Sequence, residues 1–285
     1  MIIRLFEKIR LFWPLTKSLQ TGLLVATGMA GYMSARCPVH NLSTMLGLFI
    51  SLLASIAGST ILNMWFDRDI DSKMERTKAR PLASGKIKPK EALWVGLIVS
   101  FLGFGLALFM NIGFGIIIFA GLFFDVVVYT IWLKRRTCWS IVWGGISGGM
   151  PILAGRFLGI GSLDWIGAVL ALGILLWIPT HILTFNMRYA KDYLKAGIPT
   201  VVSVHGTKVN QAIIAVSSIL AAIAMGMAAW GIGLTWGCLR LLSVLSIGLI
   251  ILALFLIIRP SDRINFGLFK YASIYMLSSM LLMVV

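Results

Sequence analysis

Apolar residues run through this chain in long blocks, interrupted at intervals by short clusters of charge. A helix rising ~1.5 Å per residue needs about 20 apolar residues to cross a hydrocarbon layer ~30 Å thick. Nine blocks approach or meet that length, near residues 18–36, 43–66, 91–110, 112–132, 139–160, 165–187, 209–231, 235–258 and 264–285. Asn111, within "FMNIGFG", separates the third from the fourth. No internal repeat and no low-complexity segment divides the chain, so the pattern predicts an all-α, polytopic membrane bundle of nine transmembrane helices in a single domain, 1–285. Ahead of the first helix, "MIIRLFEKIRLFWPLTK" (1–17) is amphipathic and lacks a small-residue cleavage site, which predicts a retained segment lying in the membrane interface.

With 285 residues, 59% of them hydrophobic and a mean hydropathy of +0.95, the composition excludes a soluble domain. The charges are placed as the positive-inside rule requires. An N-terminus in the cytoplasm puts all of the 25 basic residues on inner segments except Arg36, Arg156, Arg240 and Lys270. That arrangement leaves the C-terminus outside and predicts a multi-pass protein of the cytoplasmic membrane. Topology thus accounts for most of the net charge of +15, and the aromatic and basic interleaving of a nucleic-acid surface is absent. Cys37, Cys138 and Cys238 have no paired spacing and point to neither disulfides nor a zinc site.

What topology leaves unexplained is a concentration of acid. Asp67, Asp69, Asp71 and Glu75, four of the ten acidic residues, fall within nine positions at the end of the second block. Asn63, Asp67 and Asp71 are spaced i, i+4, i+8, which on a helix confines them to roughly an 80° arc. A polar stripe facing lipid is costly, so the stripe is expected to face the bundle interior. Two carboxylates and an amide oxygen are hard ligands suited to Mg²⁺, which takes one or two carboxylates and bridges to substrate phosphates. Arg76 and Arg80 follow on the same loop, and Lys134, Arg135 and Arg136 stand at the next inner loop, together describing a diphosphate clamp. Pro81 and Gly85 make "RPLASG" a loop over its mouth. The alternative is a solvated helix end neutralised by its neighbours, a description that Asp69, off the stripe, fits by itself.

These residues resemble the UbiA-type intramembrane prenyltransferases, whose signature is N-x-x-x-D-x-x-x-D at the end of the second of nine helices, and within them the heme O synthase (protoheme IX farnesyltransferase) family. The resemblance is carried by "DRDIDSKMERTKARPLASGKI", by "YTIWLKRRTCWSIVWGG" (129–145) and by "WIPTHILTFNMRYAKDYLKAGIPTVVSVHG" (177–206), with "LTK" at 15–17. It implies transfer of a farnesyl group from farnesyl diphosphate to a vinyl group of heme B, with addition of water, giving heme O. It also implies Mg²⁺ held by Asn63, Asp67 and Asp71, with Lys134 and the arginines on the diphosphate and Trp65, Phe66 and Tyr129 shielding an allylic cation. The third inner loop is poorer in acid than in the wider superfamily: Asn186, Tyr189 and Tyr193 stand in place of acids, leaving Asp192, so one Mg²⁺ is expected and a second is open. Ser140 replaces the family's usual Asn, and "GGMPILAGR", ending at Arg156, departs from P-P-L-x-G-W.

Two buried candidates remain. Asp125 lies within the fourth helix one α-helical turn before Tyr129, either facing the central cavity or serving as a hydrogen-bonded structural aspartate. His181, in the sixth helix, is either a packing residue or an acceptor contact, an axial contact to heme iron included; Arg188, Asp192 and Tyr193 complete the acceptor or second-site candidates. Other acceptors, a quinone precursor or a glycerol phosphate lipid, belong to the same superfamily. A secondary transporter using Asp125, Asp67 and Asp71 is the alternative of another class, although the inverted repeats and interrupted helices of transporters are not visible.

Overall fold

Short polar stops turn the apolar blocks into separate helices. Asn41, Asn111, Asp164, Thr200 and Thr235 each accept a backbone N–H in the first turn of the helix that follows, and Pro89 starts another. The computed structural model describes residues 10–36 and 41–284. Among them are nine long helices and no strand: α1 (Ser18–Met33), α2 (Leu42–Phe66), α3 (Pro89–Met110), α4 (Ile112–Leu133), α5 (Ser140–Ile160), α6 (Trp165–Arg188), α7 (Val201–Ile232), α8 (Trp236–Ile258) and α9 (Asp262–Val284). Eight are long and apolar enough to cross a membrane; α1, with 16 residues, falls short of the length of the others. Of the interfacial segment expected over 1–17, residues 1–9 lie outside the described residues, as do Cys37 and His40, and Trp13–Thr16 forms one 3₁₀ turn.

The seventh helix departs from its expected bounds. It begins at Val201 instead of 209, because Thr200 and Ser203 build a reciprocal cap there, and Gly206 at φ 82° kinks the early turns away from the span proper. The polar character of "SVHGTK" hides this stretch from a search for apolar runs. Small residues permit the closest helix contacts. A Cβ on Gly155 of α5 would collide with the Gly28 carbonyl oxygen of α1, and Ser51 of α2 donates to the Gly103 carbonyl of α3 at 3.0 Å. The far ends of α1, α5 and α6 are joined by Arg156, whose buried guanidinium donates to Ser34 O (2.8 Å) and to both oxygens of Asp164 (2.7–3.0 Å).

Alternation of helix direction gathers the ends of α2, α4, α6 and α8 with the starts of α1, α3, α5, α7 and α9. At this end the connecting loops are packed, not free. Leu15, Leu82 and Ile87 close against Ile61 and Met64, while Ile70 and Met74 pack against Ile198 and Tyr193, tying the α2–α3 loop to the α6–α7 loop. Lys270, expected at the opposite end of the bundle, belongs to this one. It lies early in α9 and its ammonium reaches back over Phe266, as a long flexible stem allows.

Candidate active site

The acidic stripe is held by an unbroken ladder. Asp67 N–H donates to Asn63 O (2.9 Å) and Asp71 N–H to Asp67 O (2.8 Å), so α2 passes through Asp67, its C-cap, into one further turn, Arg68–Asp71. Asn63, Asp67 and Asp71 therefore stand one turn apart. Both carboxylates are buried, each 6% exposed. Each has taken a cation: the Lys134 ammonium pairs with Asp67 Oδ2, and Arg80 Nη1 donates to both oxygens of Asp71 (2.9 and 2.8 Å). Thr77 Oγ1 donates to the Asp71 carbonyl and fixes the turn beneath it.

Asp67 Oδ1 is buried and has no partner among the described residues. An orphaned carboxylate oxygen costs free energy unless a hydrogen-bond donor or a cation reaches it. A hard oxygen in a buried acidic turn fits a divalent metal. Among the described residues no three acidic, histidine or cysteine side chains converge as a full cage. Mg²⁺ does not require one, since waters and substrate phosphates complete its shell.

Asn63 is engaged from α4. Its Nδ2 donates to Asp125 Oδ2 (2.9 Å) and its Oδ1 accepts from Thr130 Oγ1 (2.8 Å), which also lies 2.8 Å from the Asp125 carbonyl. This arrangement depends on a change of helix type, because α4 is π-helical from Phe123 to Leu133. In an α-helix residues five apart point roughly 140° away from each other; i→i+5 pairing stacks them, so Asp125 and Thr130 grip one amide. The α-helical turn expected to relate Asp125 to Tyr129 is replaced by this wider one. Tyr129 packs on Gly144 and lies beneath Lys134, whose ammonium is 5.6 Å from the ring centroid. Burial works against the Lys134 charge, but Tyr129 and the Asp67 carboxylate together hold its pKa above the ordinary lysine value.

Sequence reasoning passed over Lys17 except as part of "LTK". Its backbone is left-handed (φ 44°), and its ammonium is within electrostatic reach of Arg80, Lys134, Asp125 and Asp67. Burial and the charges of Arg80 and Lys134 bring its pKa down to about 8. The remaining bases divide. Arg135 forms a two-pronged pair with Asp69 (2.8 and 2.9 Å) and donates to Phe66 O, holding the Asp69 carboxyl below its usual range. Arg76 turns away from the acids and lies over Phe185 and Tyr189. Arg76 and Arg80, with Arg10 and Lys86, line an open cavity of about 720 Å³ that has no acidic lining residue; Asp67 is outside it, and Arg80 is the link between the two.

Of the shielding aromatics, each carries a cation on its ring: Arg68 on Trp65, Arg135 on Phe66 and Lys134, the partner of Asp67, on Tyr129. His181 is sandwiched between Trp177 (4.9 Å) and Phe269 (4.4 Å), with Nδ1 3.3 Å from Ser273 Oγ. Arg188 lies over Phe266, and Tyr193 belongs to the cluster with Ile70 and Met74. Asp192 sits half-buried in the short helix Ala190–Lys195 and makes no ion pair among the described residues.

Residues 24–274 match the UbiA prenyltransferase family. A protoheme IX farnesyltransferase of Korarchaeum cryptofilum is 39% identical over 206 residues, 72% of this chain and 69% of that one. Among solved structures, one from a study of digeranylgeranylglyceryl phosphate synthase in membranes superposes with a TM-score of 0.81 at 23% identity, over 98% of each chain. A UbiA homolog from Archaeoglobus fulgidus bound to GPP and Mg²⁺ gives 0.66 at 15% identity, over 97% of this chain and 99% of that chain. At such identities the likeness is one of fold.

Proposed function

Because the chain belongs to the UbiA prenyltransferase family, we propose that it transfers a farnesyl group from farnesyl diphosphate to a vinyl group of heme B (protoheme IX), water completing the addition to give heme O. The observation that carries the donor half is the Asp67 carboxylate, with one oxygen on Lys134 and the other buried and unpartnered. The acceptor half is supported by the relatives named protoheme IX farnesyltransferase. We read the site end of the bundle as cytoplasmic and all nine long helices as spans of one prenyltransferase domain.

Asp67, Asp71 and Asn63 are the residues that would hold Mg²⁺, and the metal, when bound, supplies electrostatic stabilisation of the charge that develops on the departing diphosphate. The chain's own part is to bind and neutralise that diphosphate. Lys134, Arg80 and Lys17 converge on the acidic turn, and their charges are preorganised by ion pairs and burial, so little reorganisation is needed as the C1–O bond breaks and its electron pair leaves with the diphosphate. Tyr129, whose ring lies under Lys134, is the aromatic side chain we read as shielding the resulting allylic cation. The vinyl π electrons form the new bond to C1; water adds to the cation left beside the porphyrin and releases a proton. No nucleophilic side chain takes part.

The test is the mass of the product. Purified protein given farnesyl diphosphate and heme B is expected to yield a heme heavier by one farnesyl group and one hydroxyl. Unchanged heme beside a prenylated aromatic acid or glycerol phosphate lipid would replace this reading with another acceptor. Solute uptake into proteoliposomes without any diphosphate would replace it with transport.

A further inference from the structure

Three cations meet four aromatic rings where α6 ends and α9 begins. The Arg76 guanidinium lies 4.9 Å from the Phe185 centroid and 5.4 Å from that of Tyr189. Arg188 lies 3.9 Å over Phe266 and 5.9 Å from Tyr189, and the Lys270 ammonium sits 4.6 Å over Phe266. Phe269 stacks on Phe266 at 6.1 Å and, on its other side, reaches His181. None of the ion pairs among the described residues involves Arg76, Arg188 or Lys270. A guanidinium stacked on a ring uses its face and keeps its in-plane N–H donors for a planar acid.

Between the rings is a narrow cavity of about 70 Å³, lined by Thr184, Phe185, Arg188, Tyr189, Phe266 and Phe269. It is far too small for a porphyrin, but it admits a group the size of a carboxylate. Arg76 also lines the large basic cavity beside Arg80, so the cleft adjoins the donor site instead of lying apart from it.

We infer that Arg188, Arg76 and Lys270 form the binding site for the carboxylates of the acceptor, gripping the propionates of protoheme at the edge of the bundle while the aromatic rings receive the apolar body of the ligand. The inference rests on the protoheme reading and deepens it. It moves Arg76 from the diphosphate, where its place in the sequence had put it, to the acceptor. The vinyl-bearing side of a porphyrin lies opposite its propionates, so anchoring the acids here leaves the vinyl groups free to turn towards the acidic turn.

Full-length protein in phosphatidylcholine nanodiscs, without donor, is titrated with protoheme and with its dimethyl ester, reading the Soret band. Wild-type protein is expected to favour the diacid by tenfold or more, as charge-assisted hydrogen bonds imply. Arg188→Gln and Lys270→Gln should each erase most of that preference while leaving the affinity for farnesyl diphosphate unchanged, and Arg188→Lys should keep part of it. Equal affinity of wild-type protein for acid and ester, or a preference that survives Arg188→Gln, would overturn the inference. So would loss of the diacid's advantage on adding phosphatidylglycerol to the discs, which would identify a lipid headgroup site. Failure of wild-type protein to bind either heme removes the protoheme reading itself and is distinguishable because no variant is needed to see it.

Discussion

Asp67 carries the heaviest chemical demand of any single residue, because it is buried, shares one oxygen with Lys134 and leaves the other unpartnered. Asp67→Asn keeps the shape and removes the charge; turnover is expected to fall by about 10²–10³ or more, the scale of losing one preorganised electrostatic partner. Asp69→Ala is the contrast. Its pair with Arg135 is half exposed, so it should cost at most about 1 kcal/mol of stability and retain activity, which a thermal melt and a turnover assay measure together. Lys17 gives a pH signature. Its pKa is lowered to about 8, so the side chain is charged below that pH and neutral above it. The KM for farnesyl diphosphate should therefore rise as pH increases through about 8, and Lys17→Arg should abolish the inflection. The acids were legible in the sequence because carboxylates are rare in so apolar a chain. Lys17 was not, since a lysine ending an amphipathic stretch looks like an interfacial anchor until the charges of Arg80 and Lys134 near it are seen.

Among the elements, the π-helical half of α4 has no counterpart in the sequence pattern, because "FFDVVVYTIWL" is equally apolar whichever way it is wound. Its effect is nevertheless specific, since it brings Asp125 and Thr130 onto the amide of Asn63. Thr130→Val removes one of those restraints. The Mg²⁺ concentration for half-maximal activity is expected to rise about 10–100-fold, the range for losing a partner that orients a metal ligand, with heme affinity unchanged. The bounds of the long helices were legible to within a few residues, apart from the start of α7, where a polar first turn and a glycine kink broke the apolar signal. The loop over the mouth was legible as a loop, but its anchoring by Met74, Leu82 and Ile87 depends on partners distant in sequence.

At the scale of the whole molecule the two ends of the bundle do different work. The far end is clasped by Arg156, whose burial makes its loss costly: Arg156→Ala should destabilise the protein by about 3–5 kcal/mol. Burial alone would raise the Asp164 carboxyl, but Arg156 and the Gly167 N–H hold it below the usual range. The stability it contributes is thus present above about pH 4 and is lost as pH falls further, so the melting difference between wild-type and variant should shrink in acid. The site end is where we propose that metal, diphosphate and acceptor are brought together, with the acidic turn working through a divalent cation. The most direct measurement is the rate of heme O formation by purified protein as Mg²⁺ is titrated from chelated, metal-free conditions. No product is expected without the metal, with a saturable rise as it is added and a curve for Asp67→Asn displaced to higher Mg²⁺ with a lower ceiling. Full turnover in the presence of chelator, or an Asp67→Asn curve identical to that of the wild type, would contradict that role of the acidic turn.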